Sequence, residues 1–505
     1  MSVIIPRWEW RTFGSGFGPA EATVAALVSG DVAVSDELYL LSGAGDNVKV
    51  RDDLMDIKVL QETNADGLEQ WKPVLKAGFP LAAADVQEVF GALRLPPPAL
   101  ARDTYTLDQF VEELARPAGV RPVRVHKRRA RFTTGGCIGE LSEVVGDGRP
   151  TRTIAIEATD PAAVIAAVRE VGLGDYLNTS YPLALRALLE GAPERYAVVD
   201  VGTNSVKFHV GERAADGSWR AVVDRAELTR LGEGLEEHGD IQPAPLERTI
   251  AAVAGMADEA RRNGALAIAA VGTAGLRLAR NRDACIAAIR DRTGIDVETI
   301  PGEEEGRLAY LAVKVGLGLG DGPLVVFDTG GGSTQFTFGH GDAVDERFSV
   351  DVGAVRFTER FGLDGVVSTE VLADALAAIA ADLSRIDGRP SPDALVAMGG
   401  AVTNITAVKY GLATYDPDRV QGTVLDRAEI DRQIELYRSK DADGRRGIVG
   451  LQPKRAEVIL AGACIVRTVM DKLGKDSLTV SDRGLRHGLL VERFGDRPRS
   501  EVSAQ

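Results

Sequence analysis

Cysteine is scarce in this chain. Only Cys137, Cys285 and Cys464 occur in 505 residues. They lie far apart without metal-ligand spacing, which excludes a disulfide framework and points to a reducing compartment. Long apolar runs are missing as well, and no stretch approaches the ~20 residues of a membrane span. The start, Met1-Ser-Val-Ile-Ile-Pro-Arg-Trp-Glu, lacks the basic, apolar and small-residue order of a signal peptide. A cytoplasmic protein without a membrane partner is the expectation. Excess basic charge is absent too: the formal net charge is −15. That disfavours nucleic acid as a specific partner. It leaves room for a polyanionic substrate, because local basic groups and backbone N–H groups bind phosphate inside acidic proteins. An apolar content of 45% and a charged content of 26% fit an ordinary globular protein, long enough for about three domains.

Two stretches are near copies of each other. Asp200-Val-Gly-Thr-Asn-Ser-Val-Lys-Phe208 and Asp328-Thr-Gly-Gly-Gly-Ser-Thr-Gln-Phe336 share the pattern Asp-x-Gly-x-x-Ser-x-x-Phe. Each follows an apolar run and leads into another β-prone segment. Each therefore reads as a strand, a tight glycine turn and a strand, with a carboxylate at the mouth. Two such hairpins suggest two similar lobes facing each other across a cleft. From Tyr196 onward strands alternate with helices, as expected of an α/β fold with a duplicated core. The division is expected in the glycine-rich stretch from Val315 to Pro323. A long helix is expected over 454–472.

The first 175 residues read differently. Arg7-Trp-Glu-Trp-Arg11, Val48-Lys-Val-Arg51, Asp56-Ile-Lys-Val59, Val123-Arg-Val-His-Lys127, Glu140-Leu-Ser-Glu143 and Ile154-Ala-Ile-Glu157 alternate charged and apolar residues. Period two means β-strands with unlike faces. A solvated outer face explains any one of them. Six with charges of both signs on one face suggest a closed barrel with a polar lumen.

Several residues carry candidate chemistry. Gly330, Gly331 and Gly332 leave backbone N–H groups uncovered, a nest for phosphate oxygens, and Ser333 adds a hydroxyl. Asp200 and Asp328, at equivalent strand ends, suit a divalent ion held directly or through water. Pro301-Gly-Glu-Glu-Glu-Gly-Arg307 opens a helix with three acids, of which at most one or two can face a cleft; one that does can act as a general base. Arg277 suits bidentate phosphate binding. The run from Arg121 to Arg131, with Lys127, Arg128 and Arg129, is expected to gather a phosphate chain.

The N-terminal pattern resembles the CYTH, or triphosphate tunnel, family, whose hallmark is a Glu-x-Glu-x-Lys strand; here Glu9 and Arg11 match it. The resemblance implies an antiparallel β-barrel α+β domain over 1–175. Its tunnel candidates are Glu9, Arg11, Lys49, Arg51, Lys58, Arg124, Glu140 and Glu157. Absence of the first Glu weakens the case for a metal-dependent triphosphatase and leaves a binding or regulatory tunnel open beside it.

From Tyr196 to Phe494 the chain resembles the exopolyphosphatase/guanosine pentaphosphate phosphatase (Ppx/GppA) family. The resemblance rests on the two hairpins, Gly272-Thr-Ala-Gly-Leu-Arg277, Gly302-Glu-Glu-Glu-Gly-Arg-Leu308, Gly353-Ala-Val-Arg356, Met398-Gly-Gly400 and Val480-Ser-Asp-Arg-Gly-Leu-Arg-His-Gly-Leu-Leu490. It implies duplicated actin-like (RNase H-like) ATPase-type lobes, placed at 196–318 and 319–495. It implies release of terminal orthophosphate from inorganic polyphosphate or guanosine pentaphosphate. Glu305 would be the base, with Asp328 positioning the water. Asp200 and Asp328 would hold Mg²⁺ or another divalent cation such as Mn²⁺. Asn204, Ser205, Lys207, Arg277, Gly330, Gly331, Gly332, Ser333 and Arg455 would bind phosphate. Family members often form dimers, so a homodimer is an expectation. One position departs from the pattern: Gln335 stands where the family has Glu. The alternative is therefore a non-catalytic regulator that binds polyphosphate or guanosine tetra- and pentaphosphate.

Overall fold

A computed structural model describes residues 6–203 and 205–495. Two compact units divide the chain: one comprises residues up to Thr299 together with those from Glu492 onward, the other Ile300–Val491.

The first unit opens with a closed antiparallel barrel. Its strands are β1 (Trp8–Gly14), β2 (Ser29–Leu41), β3 (Asn47–Arg51), β4 (Leu54–Thr63), β5 (Glu69–Gly78), β6 (Arg121–Thr134), β7 (Cys137–Gly146) and β8 (Arg149–Ala158). Their order is β1-β8-β7-β6-β2-β3-β4-β5, closed by β5 against β1. The barrel is polar inside. Val48, Val50, Met55 and Ile57 point outward, where they are buried with Val86, Val89 and Phe90 of helix Ala83–Ala92. Their neighbours Lys49, Arg51, Asp56 and Lys58 point inward. Helix Tyr181–Glu190 caps one end, packing Tyr181, Leu185 and Leu189 on the inward-facing Phe13, Tyr39, Val123 and Val125.

A second sheet completes this unit. It consists of β9 (Glu194–Val201), β10 (Ser205–Arg213), β11 (Trp219–Leu228), β12 (Ala265–Gly272) and β13 (Val297–Thr299), in the order β11-β10-β9-β12-β13. The hairpins are antiparallel and β9, β12 and β13 run parallel. Barrel and sheet are joined by a short strap. Tyr176 bridges Ala267 of β12, and Thr179 N–H donates to the Arg11 carbonyl of β1 at 2.7 Å. Tyr176, Tyr196 and Phe494 pack ring on ring at the same joint.

The second unit repeats this plan. Its strands are β14 (Pro323–Thr329), β15 (Thr334–His340), β16 (Ala343–Val350), β17 (Ala394–Met398), β18 (Val424–Asp426) and β19 (Ser477–Ser481). Their order is β16-β15-β14-β17-β19-β18, again an antiparallel pair of hairpins followed by parallel strands, with β18 as an antiparallel edge. Helix Ile459–Lys472 is buried nearly all round in the largest apolar cluster, beside Phe336, Phe357 and Tyr437. It is shorter than expected from the sequence: residues 453–455 form a separate 3₁₀ turn, held by Gln452 N–H donating to Asn404 Oδ1 at 2.9 Å. The units divide ahead of the glycine-rich stretch, because helix Gly302–Leu317 packs within the second unit, against β16 and helix Leu485–Phe494. No helix among the described residues is long and apolar enough to cross a membrane.

The contact between those two helices is close enough to test. A Cβ on Gly488 would lie 1.9 Å from the Leu308 carbonyl oxygen. Gly488→Ala must push the helices apart, at a cost of about 2–3 kcal/mol to the second unit. All four tryptophans, Trp8, Trp10, Trp71 and Trp219, lie in the first unit. Calorimetry should show a lowered second-unit transition while the tryptophan-monitored transition stays put; an unshifted second-unit transition would contradict the packing.

Candidate active site

In the first unit the phosphate-binding candidates surround one turn. Asp200 ends β9 and stands opposite Lys207 in the ladder, with Lys207 Nζ donating to Asp200 Oδ2 at 3.2 Å. The carboxylate is 2% exposed, while the lysine side chain is 45% exposed. Asp200 Oδ1 is buried with no hydrogen-bond partner among the described residues. Gly202 is needed for the turn: its N–H reaches the Ser205 carbonyl at 3.1 Å, and a Cβ would sit 2.8 Å from that oxygen. The segment after β12 closes on the same turn. Thr273 N–H donates to the Val201 carbonyl at 3.2 Å, and a Cβ on Gly275 would lie 3.0 Å from Thr203 Cα. Arg277 follows on the short helix Ala274–Leu278. Asn204 lies outside the described residues.

In the second unit Asp328 ends β14, beside Met398 of β17 and opposite Gln335 of β15. The turn between them is shaped by its acceptors. The carbonyls of Gly330 and Gly331 accept from the first N–H groups of helix Ala354–Phe361, Ala354 and Val355, at 2.9 Å each. Among the described residues no acceptor takes the N–H groups of Gly331, Gly332 or Ser333. Three uncovered donors in succession make an anion nest. Two further residues come in beside it. A Cβ on Gly399 would meet Asp328 Oδ1 at 2.1 Å, and one on Gly400 would meet an Arg455 guanidinium nitrogen at 2.5 Å. Only glycines let the carboxylate and the guanidinium approach that backbone, and Gly399 also takes φ +88°. Gln335 Nε2 donates to Ser333 Oγ at 2.7 Å, which leaves the serine's own O–H to donate elsewhere.

Three glutamates open helix Gly302–Leu317, where the helix dipole favours them. Arg307 grips Glu304 with two nitrogens, at 2.8 and 2.6 Å. Glu303 is exposed and Glu305 is half-buried. The ion pair gives Glu304 a structural task.

The barrel lumen is a cavity of about 330 Å³. Glu9, Arg11, Lys49, Arg51, Lys58, Glu140 and Glu157 all line it, as do Arg7, Lys127, Arg129 and Arg131. Arg124 does not: it lies on the outward parity of β6, exposed, with its N–H on Asp147. The basic run of β6 is likewise split by the pleat. Lys127 and Arg129 face in, whereas Arg128 faces out and pairs with Glu143. Sequence reasoning missed Glu37 and Tyr39 on β2. Glu37, fully buried, accepts from Lys127 at 2.6 Å and Lys49 at 3.1 Å, with Arg51 and Arg129 at 3.7 and 3.8 Å. Burial opposes its charge, but Lys127 and Lys49 outweigh that and hold its carboxyl well below the ordinary value of 4.5. Burial and nearby Lys49 draw Lys127 down. Lys127 Nζ also sits 3.8 Å above the ring of Tyr181.

Comparison with known proteins identifies the C-terminal part. The model of the Ppx/GppA phosphatase family matches residues 212–496, more than half of the chain, and the chain belongs to that family. Exopolyphosphatase 2 of Mycobacterium tuberculosis is 28% identical over 324 residues, which cover 60% of this chain and 99% of that one. Guanosine-5'-triphosphate,3'-diphosphate pyrophosphatase of Photobacterium profundum is 28% identical over 313 residues; the match spans 61% of each chain. A crystal structure of the Aquifex aeolicus Ppx/GppA phosphatase, type II variant, is 32% identical with a TM-score of 0.57, covering 60% of this chain and 99% of that one.

The lumen's central ion cluster sets the barrel's stability. Glu37→Gln leaves Lys127 buried without its counter-charge and should cost the barrel about 3–5 kcal/mol. Tryptophan-monitored urea unfolding measures it. Because the folded pKa of Glu37 lies below its ordinary value, its stabilisation is complete above about pH 4.5 and fades as pH falls further. Wild type should lose barrel stability below that pH more steeply than the variant; parallel acid profiles would contradict the assignment.

Proposed function

We propose that this chain hydrolyses phosphoanhydrides, releasing terminal orthophosphate from inorganic polyphosphate or from guanosine pentaphosphate. The observation that carries this reading is the nest at Gly331–Ser333, three uncovered backbone donors beside Asp328 and Arg455. The names of the M. tuberculosis and P. profundum relatives support the substrate class.

Asp200 and Asp328, at equivalent places in the two hairpins, are the residues that would hold Mg²⁺ or Mn²⁺. The unpartnered, buried Oδ1 of Asp200 suits that role. When bound, such an ion supplies positive charge to the phosphate oxygens. The chain's own groups do the rest. The N–H groups of Gly331, Gly332 and Ser333 bind oxygens of the terminal phosphate, and Arg455 adds charge. Lys207, Ser205 and Arg277 bind the phosphate chain. Glu305 accepts a proton from water as that water attacks in line. Positioning and charge stabilisation carry most of the acceleration in phosphoryl transfer.

Gln335 supports a second reading, a polyphosphate- or guanosine pentaphosphate-binding regulator with weak or no turnover. Amide in place of carboxylate removes a group that can take up a proton.

Phosphate release from purified protein with Mg²⁺, on polyphosphate and on guanosine pentaphosphate, decides between the readings. Glu305→Gln should lower the rate by about 10²–10⁴-fold. Gln335→Glu should raise it at least about tenfold if the site is a weakened hydrolase. Tight binding of either compound with no phosphate released, by wild type or by Gln335→Glu, would establish the regulator instead.

A further inference from the structure

Asparagine is a poor residue for the interior of a helix, because its amide competes for backbone hydrogen bonds. Asn404 nevertheless stands inside helix Gly400–Tyr410 and is 2% exposed. Both ends of its amide are spent on backbone. Nδ2 donates to the Gly400 carbonyl at 2.8 Å, one turn back in the same helix. Oδ1 accepts from the N–H of Gln452 at 2.9 Å, 48 residues away in sequence. The first bond is local. The second ties the helix to the segment that carries Arg455.

That segment runs along the helix toward its N-terminus. Gly450, at φ +93°, lies on the backbone of Ala407, where a Cβ would come within 2.3 Å of the carbonyl oxygen. Gln452 follows at Asn404. Arg455 ends at Gly400, where a Cβ would meet three guanidinium atoms at between 2.5 and 3.1 Å. From Ala407 to Gly400 the helix rises about 10 Å, or about two turns. The 3₁₀ turn Pro453–Arg455 makes the last step, with Arg455 N–H donating to the Gln452 carbonyl at 2.8 Å. Just beyond it, the fully buried Arg445 donates to the Ala456 carbonyl at 3.3 Å and to the carbonyls of Tyr437, Leu363 and Gly365 at 2.7, 2.8 and 2.8 Å. Arg455 itself forms no ion pair among the described residues. The place of its guanidinium is therefore set by its backbone, which Arg445 fixes on one side and Asn404 on the other.

We propose that Asn404 is a positioning residue for the anion site of the second unit. It holds Arg455 over Gly400, beside the nest at Gly331–Ser333, and touches no substrate itself. A turn already fixed loses less freedom when its arginine closes on an anion, so the anion is held more tightly. The proposal rests on reading the nest as a phosphate site, and not on turnover there.

The test is orthophosphate binding to the full chain in EDTA, read from the second-unit calorimetric transition, which a ligand of that unit raises. Wild type should be stabilised by phosphate. Arg455→Gln should weaken that binding at least about tenfold, the loss of a charge-assisted contact, and Asn404→Ala should come close to it. Adding Asn404→Ala to Arg455→Gln should cost less than about a further twofold. Asn404→Ser separates the two amide bonds: its hydroxyl still bonds back to the Gly400 carbonyl but is too short to reach Gln452, and it should lose as much binding as Asn404→Ala. Gly400→Ala puts a methyl where the guanidinium lies, leaves both Asn404 partners in place, and should act like Arg455→Gln. Each variant's own ligand-free midpoint is its reference, so lost stability alone does not count as lost binding. Wild-type binding by Asn404→Ala, Asn404→Ser or Gly400→Ala, losses that multiply in the double variant, or a wild-type transition indifferent to phosphate would each overturn the proposal. Coupled losses of binding with no phosphate released from polyphosphate or guanosine pentaphosphate by any variant would support the positioning role and sink only the hydrolase reading.

Discussion

A buried carboxylate stays charged only if something close by compensates it, and the first unit is organised around two such groups. Glu37 and Asp200 are both almost wholly buried. Glu37 stands among four cations contributed by β3 and β6. Losing one partner of such a cluster costs several kcal/mol, which is comparable with the whole stability of a domain. The cluster therefore dictates the register of β2 against β3 and β6. Asp200 has a single lysine, and that lysine is nearly half-exposed and screened by solvent, so the pair contributes little to stability. One of its oxygens goes unpaired, at a cost of about 1–3 kcal/mol. Each carboxylate leaves one oxygen without a hydrogen bond among the described residues, Glu37 Oε1 and Asp200 Oδ1, but the first is surrounded by compensating charge and the second has one half-exposed lysine. Groups of the second kind are where function is to be sought.

Much of this was legible from the chain. The duplicated hairpins appear where the repeated Asp-x-Gly-x-x-Ser-x-x-Phe pattern puts them, because glycine turns and flanking apolar runs are local signals. The polar lumen follows from charge alternation in six strands. Two barrel strands escaped notice for local reasons. β5 contains Pro73, which weakens a strand reading, and it pairs at a register shift opposite Lys58. The first half of β2 is exposed on both faces, so Ser29–Asp36 shows no alternation. The misplacement of Arg124 is a matter of parity. Val123 and Val125 are buried facing inward, so Lys127 follows them inside and Arg124 must point out. Which face of a charged strand is solvated cannot be read from the strand alone. Here the apolar face is covered by helix Ala83–Ala92, and that leaves the charges inside.

Long-range pairing was the other limit. Glu304 and Glu305 are neighbours in an acidic run, and nothing in that run announces the bidentate grip of Arg307 on Glu304. Likewise, nothing in Gly399-Gly400 announces that a carboxylate approaches one glycine and a guanidinium the other. Arg455 reaches that place from a 3₁₀ turn that the helical periodicity around it conceals.

The two hairpins are copies in backbone but not in charge. Lys207 faces Asp200 across the first ladder, and Gln335 occupies the corresponding place opposite Asp328 in the second. Directly opposed residues in an antiparallel pair have Cβ atoms about 4.5–5.5 Å apart. A glutamate at 335 would bring a second carboxylate beside that of Asp328, and neighbouring like charges call for a cation or a shared proton. The glutamine removes the demand. Its amide turns instead to Ser333 and Ser349, at 2.7 and 3.4 Å. The second hairpin thereby carries one less negative charge beside a nest of anion donors. A nest with less negative charge beside it is electrostatically better suited to an anion. Binding an anion and taking up a proton from water thus make opposite electrostatic demands on this one position.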